Sequence, residues 1–338
     1  MAYGTVNADI IGTSVAGSNL GAGNATNFKN RIINGAMVID QRNAGASVTN
    51  TGLKIYSLDR WFIQGSSSSK FTAQQNAGSV TPPTGYINYL GITSSAATSV
   101  GSSDYYFLGQ SIEGLNVADF GWGTANAKTI TLSAWVYSSL TGTFGGALRN
   151  SAGNRSYPFT YSISTANTWT LISVTIAGDT SGTWLTTSGI GIDLDFNLGA
   201  GSTLSGTANA WASANYISAT GATSVVGTSG ATFYITGIQL EVGSFATGFE
   251  VRDYGRELIL CQRYFYKPDL SVTRFYGATF GASGFVNIPM PVTMRASPTS
   301  TQTVNATLYA AYNNAAICQL NVASTSPDCT AFTASAEL

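Results

Sequence analysis

Ile190-Gly191-Ile192-Asp193-Leu194-Asp195-Phe196-Asn197-Leu198 is the stretch that decides the fold. Apolar residues fall at every second position, with Gly, Asp, Asp and Asn between them. Side chains alternate across a β-strand, so this is a strand with one apolar and one polar face. Ile130, Leu132, Ala134 and Val136 alternate in the same way with Thr131, Ser133, Trp135 and Tyr137. Further strand candidates are 58–64, 70–75, 86–92, 105–112, 144–148, 159–163, 169–176 and 232–241, separated by turn-rich spacers. Residues 31–39 are apolar but interrupted by Asn34-Gly35, which reads as a bulge or tight turn in a strand. Roughly ten strands at short spacing predict an all-β chain folded as a sandwich of two antiparallel sheets.

Composition agrees. Of 338 residues, 9% are charged, against about 25% in an average domain. A hydrophobic share of 44%, with 12% aromatic, excludes a disordered chain and supplies a large core. The net charge of −1 offers no basic field to nucleic acid. No apolar run is long enough to insert in a membrane. Met1-Ala2-Tyr3-Gly4 leads into a polar segment unlike a secretory leader, so synthesis in a cytoplasm is expected.

Residues 1–27 are small and polar, with only scattered apolar residues such as Tyr3, Val6, Ile10 and Ile11. They read as an extended arm that orders on a partner, or as a disordered tail. The sandwich is expected over 28–252. Within it, 199–230 is a low-complexity stretch that reads as an exposed excursion. A connecting helix is expected over 253–268, with Asp253 as N-cap, Glu257 in the first turn and Pro268 as terminator. Arg252, Arg256 and Arg263 lie beside Glu250, Asp253 and Glu257, which points to an ion-paired junction rather than a polyanion site. A smaller C-terminal β domain, 269–338, has strand candidates at 274–280, 285–292, 303–309, 317–322 and 329–334.

There is no histidine, which removes the commonest general base, the Ser-His-Asp and Cys-His nucleophiles and most zinc sites. No phosphate-binding or nucleophile-elbow motif occurs in a strand-then-helix context. Asp193 and Asp195 are the only close carboxylate pair on one strand face. They read as a solvated sheet face, or as oxygen donors to Ca²⁺ together with Asn197. No other cofactor is expected. Trp122, Trp184 and Trp211 lie in loop-like segments. They are candidates for stacking on sugar rings; the alternative is that they pin loops or pack on neighbouring subunits. Cys261, Cys318 and Cys329 match no metal spacing and read as free buried thiols, or as one Cys318–Cys329 disulfide beside a free Cys261.

Two segments carry a resemblance. One is Lys29-Asn30-Arg31-Ile32-Ile33-Asn34-Gly35-Ala36-Met37, then Gln41-Arg42, then Leu58-Asp59-Arg60-Trp61. The other is Ile238-Gln239-Leu240-Glu241-Val242-Gly243, then Phe249-Glu250-Val251-Arg252, then Leu260-Cys261-Gln262-Arg263-Tyr264-Phe265. Together they resemble a family of phage tail-fibre and virion surface proteins in which such motifs bracket a jelly roll. The terminal Ala336-Glu337-Leu338 is similar to that family as well. Between the brackets, Gly109-Gln110-Ser111-Ile112-Glu113 and Phe233-Tyr234-Ile235-Thr236 resemble carbohydrate-binding modules. The resemblance implies a non-enzymatic virion protein, homo-oligomeric and in such fibres trimeric. It would attach to other virion proteins through the arm and contact host-surface glycan. The alternative is a capsid decoration, head-fibre or tail adaptor protein without a receptor.

Overall fold

A computed structural model describes residues 29–268, 284–303, 306–320 and 331–338. The N-terminal arm, the strand candidate at 274–280 and Cys329 lie outside the described residues. The first strands are β1 (Val48–Thr49), β2 (Ile55–Leu58), β3 (Trp61–Gly65), β4 (Phe71–Gln75), β5 (Leu90–Ser94) and β6 (Tyr105–Glu113). Next come β7 (Ile130–Ser138), β8 (Gly142–Arg149), β9 (Ser156–Ile163), β10 (Thr170–Ile176) and β11 (Ile190–Ala200). The two-residue strands β12 (Ser205–Gly206) and β13 (Ser218–Ala219) precede β14 (Thr232–Val242).

One six-stranded sheet has the order β1-β4-β5-β14-β7-β10, the other β2-β3-β6-β11-β8-β9. The pairings in both are antiparallel. The chain crosses between the sheets from β5 to β6, β6 to β7, β7 to β8, β9 to β10 and β10 to β11, which makes an all-β jelly-roll sandwich. The alternation in 190–198 holds: Ile192, Leu194, Phe196 and Leu198 are buried in the core. They pack in one cluster with Ile130, Leu132, Ala134 and Val136. In β14 the inward residues change parity, from Phe233 and Ile235 to Ile238 and Leu240. A register shift between Thr236 and Gln239, with Gly237 at φ 62°, inserts the extra residue that keeps both halves facing the core.

Three strand expectations are corrected. Residues 31–39 form no strand: Asn34 and Met37 adopt positive φ, and the buried Asn34 side chain bonds Ile39 O, Ile39 N and Asp59 O. The 58–64 run is not one strand but a hairpin, β2 and β3, turning through Asp59-Arg60 with Arg60 at φ 69°. The 86–92 run becomes a strand only at Leu90. The 199–230 excursion also turns inward. Val225 and Val226 are fully buried and Ile217 nearly so, because this stretch covers the outer face of the second sheet and one end of the core.

Helix α1 (Tyr254–Gln262) is capped as expected, Asp253 Oδ1 accepting from Arg256 N at 3.0 Å. It buries Cys261, and Tyr264 just beyond it, against Ile33 and Ile39, while Ile259 faces outward. The remaining strands are β15 (Phe265–Tyr266), β16 (Gly284–Pro289), β17 (Thr299–Thr303), β18 (Ala306–Ala311), β19 (Ala315–Leu320) and β20 (Ala331–Ser335). They form two three-stranded sheets, β15-β20-β17 and β16-β19-β18. Cys261 is a free thiol, and Cys318 lies in β19.

The two bracketing motifs meet. Arg31 N bonds Leu240 O, and the Asn30 amide bonds Ile238 O and Leu240 N. Glu113 on β6 accepts from both Arg263 and Tyr264. Glu337 accepts from Arg42 at 2.6 Å and from the buried Arg60, so the chain's last described residues are tied to the sandwich. The junction is therefore ion-paired, and the motif residues hold the fold together.

Asp59 in this network is fully buried and accepts two 2.7 Å bonds from Gln41. Burial pushes its carboxyl up to about 7, against the pull of Arg42 and the Gln41 bonds. An unfolded aspartate titrates near ~4, so between about 4 and 7 the folded chain holds a proton that the unfolded chain releases. This contribution is complete below about 4 and is lost as pH rises through about 7. The stability of the chain relative to Asp59→Asn is therefore expected to fall as pH rises across that window. Urea unfolding of both proteins at several pH values checks it; parallel pH profiles would contradict the shift.

Candidate functional site

Alternation on the second sheet sends Tyr56, Phe62, Gln64, Tyr105, Phe107, Arg149, Asp193 and Asp195 to the face away from the core. Gly109 sits among them for a steric reason. A Cβ there would lie 2.7 Å from Leu194 O, 2.8 Å from Asp195 Oδ1 and 2.9 Å from the Phe62 ring. With no side chain at 109, Phe62 and Asp195 both fit beneath the surface.

The aromatic residues form one patch: Phe62 meets Tyr56 and Phe107 edge-on at 5.9 and 6.0 Å, and Tyr105 meets Phe107 at 5.9 Å. Leu204 and Ile217 from the 199–230 stretch pack over part of it. What stays open is a cleft of about 190 Å³ lined by Gln64, Tyr105, Phe107, Arg149, Leu204, Asn215 and Ile217. Arg149 is fixed by Asp195 at 2.6 Å and Asn215 at 2.9 Å, with its guanidinium 5.7 Å from the Phe107 ring centre. The Gln64 amide and the Tyr105 hydroxyl bond no other described residue. The cleft thus sets three planar hydrogen-bonding groups and a phenol around an aromatic floor. Such a site can hold a small polyhydroxylated ring: apolar on one side, several directional donors and acceptors on the other.

The Ca²⁺ expectation at Asp193 and Asp195 is corrected. Asp195 is fully buried and paired with Arg149; Asp193 Oδ1 accepts from Ser111, which also accepts from Lys54. Arg149 answers Asp195 and the Ser111 hydroxyl answers Asp193, and among the described residues no three His, Cys, Asp or Glu side chains converge on a metal position. The solvated-face reading fails at Asp195 as well, because the chain beyond β11 folds back over this sheet. Burial lowers the pKa of the nearby Lys54 ammonium.

The three tryptophans do come together, but as a knot. Trp122 lies 4.8 Å from Trp184 and 5.2 Å from Trp211, and these two are 5.5 Å apart, all edge-to-face. Their indole N–H groups bond the protein: Trp122 to Lys128 O, Trp184 to Asp179 and Ser181 O, Trp211 to Ala177 O. Trp122 is only 7% exposed. The expectation of exposed stacking faces is therefore corrected for Trp122; the rings pin the loops at 121–128 and 177–184 to each other. Tyr105, Phe107, Gln64, Arg149 and Asn215 were not singled out from the sequence. The signal available was the 105–112 strand, whose odd positions needed only an assigned face.

No family model and no curated protein sequence matches the chain. Among solved structures, the chain is similar to the enzymatically active domain of bacteriophage CBA120 tailspike protein 4, at 10% identity and TM-score 0.33. That likeness covers 64% of this chain and 22% of the tailspike chain, so the match spans about a fifth of it. The structure of CBM4 is similar at 12% identity and TM-score 0.33, covering 62% and 98%. A family 11 carbohydrate-binding module from Clostridium thermocellum is similar at 13% identity and TM-score 0.29, covering 57% and 96%.

Proposed function

We propose that the chain is a non-enzymatic surface subunit of a bacteriophage particle that holds host glycan in the cleft between Gln64, Tyr105, Arg149 and Asn215. The cleft carries the binding half of this reading. Its floor is aromatic, its polar groups are planar and oriented, and Gln64 and Tyr105 have hydrogen-bonding capacity to spare. The virion half rests on the bracketing motifs and their resemblance to tail-fibre proteins. In this reading the subunit works as a homo-oligomer, trimeric as in such fibres, and joins the particle through residues 1–27.

The test is a glycan array with the full chain, followed by titration of any glycan that binds. Gln64→Ala and Asn215→Ala should each weaken binding about 2- to 10-fold, the range for one lost hydrogen bond. Tyr105→Ala should weaken it further by removing part of the floor. The reading fails if no glycan binds, or if all three variants bind as the parent does.

A further inference from the structure

The two sheets of the sandwich end in the edge strands β1 and β10 on one and β2 and β9 on the other. An edge strand presents a row of unpaired backbone groups that can template pairing with another chain, so folded proteins shorten it, charge it, kink it or cover it. β1 has only two residues. β2 has four, and the Asn43 amide already donates to Ser57 O. β9 carries Pro158; Ser156 exchanges backbone bonds with Ala212, and Asn209 N covers Pro158 O at 2.7 Å. β10 has none of these protections. Its seven residues, Thr-Leu-Ile-Ser-Val-Thr-Ile, pair with β7 in one unbroken register. No charged side chain occurs from 156 to 178. Among the described residues, no backbone N–H or C=O of 170–176 bonds anything but β7. Leu171, Ser173 and Thr175 are exposed on the outer face, Leu171 by 57%, while Ile172, Val174 and Ile176 are buried on the inner one.

We propose that β10 docks a second copy of this chain, edge to edge and antiparallel, about a two-fold axis at Ser173. The strand is its own complement. In that register Leu171 of one copy lies opposite Thr175 of the other, Ile172 opposite Val174, Thr170 opposite Ile176, and Ser173 opposite itself. Every pair joins positions of the same parity, so outward residues meet outward ones and the two cores abut at Ile172 and Val174. Antiparallel partners exchange two backbone bonds at every second pair, which gives roughly six to eight bonds along the strand. Charge selects the occupant. A two-fold contact brings like residues together and so requires a neutral strand, as β10 is. A strand of another protein would be chosen by opposite charge, and β10 offers none. A seven-residue edge is small beside the ~1,200 Å² of a standard interface, so the association is reversible in dilute solution. Being two-fold, it joins two subunits and leaves any threefold contact to other surfaces. The inference does not depend on glycan binding.

The experiment places a cysteine at position 173 of the full chain, oxidises the concentrated protein and maps the linked peptides by mass spectrometry. Ser173→Cys should give a two-chain product linked from 173 to 173. Thr175→Cys, also exposed but opposite Leu171, should give about tenfold less, since only position 173 faces itself across the axis. A charge swap separates lost pairing from lost folding. Ser173→Lys and Ser173→Glu should each weaken association in sedimentation by about fivefold, and an equimolar mixture of the two should restore it. Absence of a two-chain product, equal linking from both cysteines, a link from 173 to a different segment, or a mixture that associates no better than either variant alone would each overturn the proposal.

Discussion

Replacing Arg60 with alanine is expected to cost the fold about 3–5 kcal/mol, the range for removing one partner of a buried ion pair. Arg60 is 1% exposed. Its guanidinium bonds Glu337 and Ser111 O and lies 3.6 Å from the centre of the Tyr264 ring. Burial alone would lower its pKa, but Glu337 and the surrounding groups more than offset this, so the charged form is favoured. Alanine removes the charge opposite Glu337, leaves Ser111 O without this donor and opens a cavity beneath Tyr264. Arg42 still holds Glu337 at 2.6 Å, which keeps the loss near the lower end of the range. Arg60→Lys should recover only part of it, since an ammonium cannot span both partners as a planar fork does. The shift in urea midpoint measures this, and limited proteolysis at 331–338 reports whether the C-terminal residues come loose. A loss below about 1 kcal/mol would show that the network contributes little.

Trp122→Ala is expected to destabilise the chain by about 3–5 kcal/mol, the usual range for emptying a buried tryptophan site. The side chain touches Trp184, Trp211 and Phe120, at 4.8, 5.2 and 5.6 Å between ring centres, and its N–H bonds Lys128 O at 2.9 Å. Each aromatic pair adds roughly 0.5–1.5 kcal/mol beyond area burial. Without Trp122 the loop at 177–184 keeps Arg155, bonded to Asp179 by two contacts of 2.6 and 2.8 Å, but loses its inner surface. Proteolysis within 177–189 should accelerate, and the melting temperature should drop. Any loss of glycan binding should follow unfolding and not precede it, because the cleft is built from other residues. Normal stability with selective loss of binding would return the tryptophans to the role read from sequence.

Several of these features were legible before any coordinates. Period-two alternation marked β7 and β11 to within a residue or two, because a sheet buried on one face imposes that pattern, and strand-forming runs between turn-rich spacers marked β6 and β14. Asp253 was recognisable as the cap of α1, since its carboxylate meets an N–H three residues on and capping is local. The ion pairing around Arg252 and Glu257 could be anticipated from charges close in sequence.

The functional surface was not legible in that way. Asp193 and Asp195 have the spacing of an exposed polar face, yet Asp195 is buried because residues 201–220 fold over it from elsewhere in the chain. Trp122, Trp184 and Trp211 stand in loops by sequence and in a knot by structure, because three loops separate in sequence converge at one place. Arg60 fell within the strand expected at 58–64, and only the return of Glu337 to its side explains its burial. Local pattern determined which residues form strands and which way their side chains alternate, since both depend on the geometry of a few neighbouring residues. Tertiary packing decided which outward faces remain open, because that depends on where distant segments land. Here they cover Asp195 and Trp122 and leave open the cleft at Gln64, Tyr105 and Asn215.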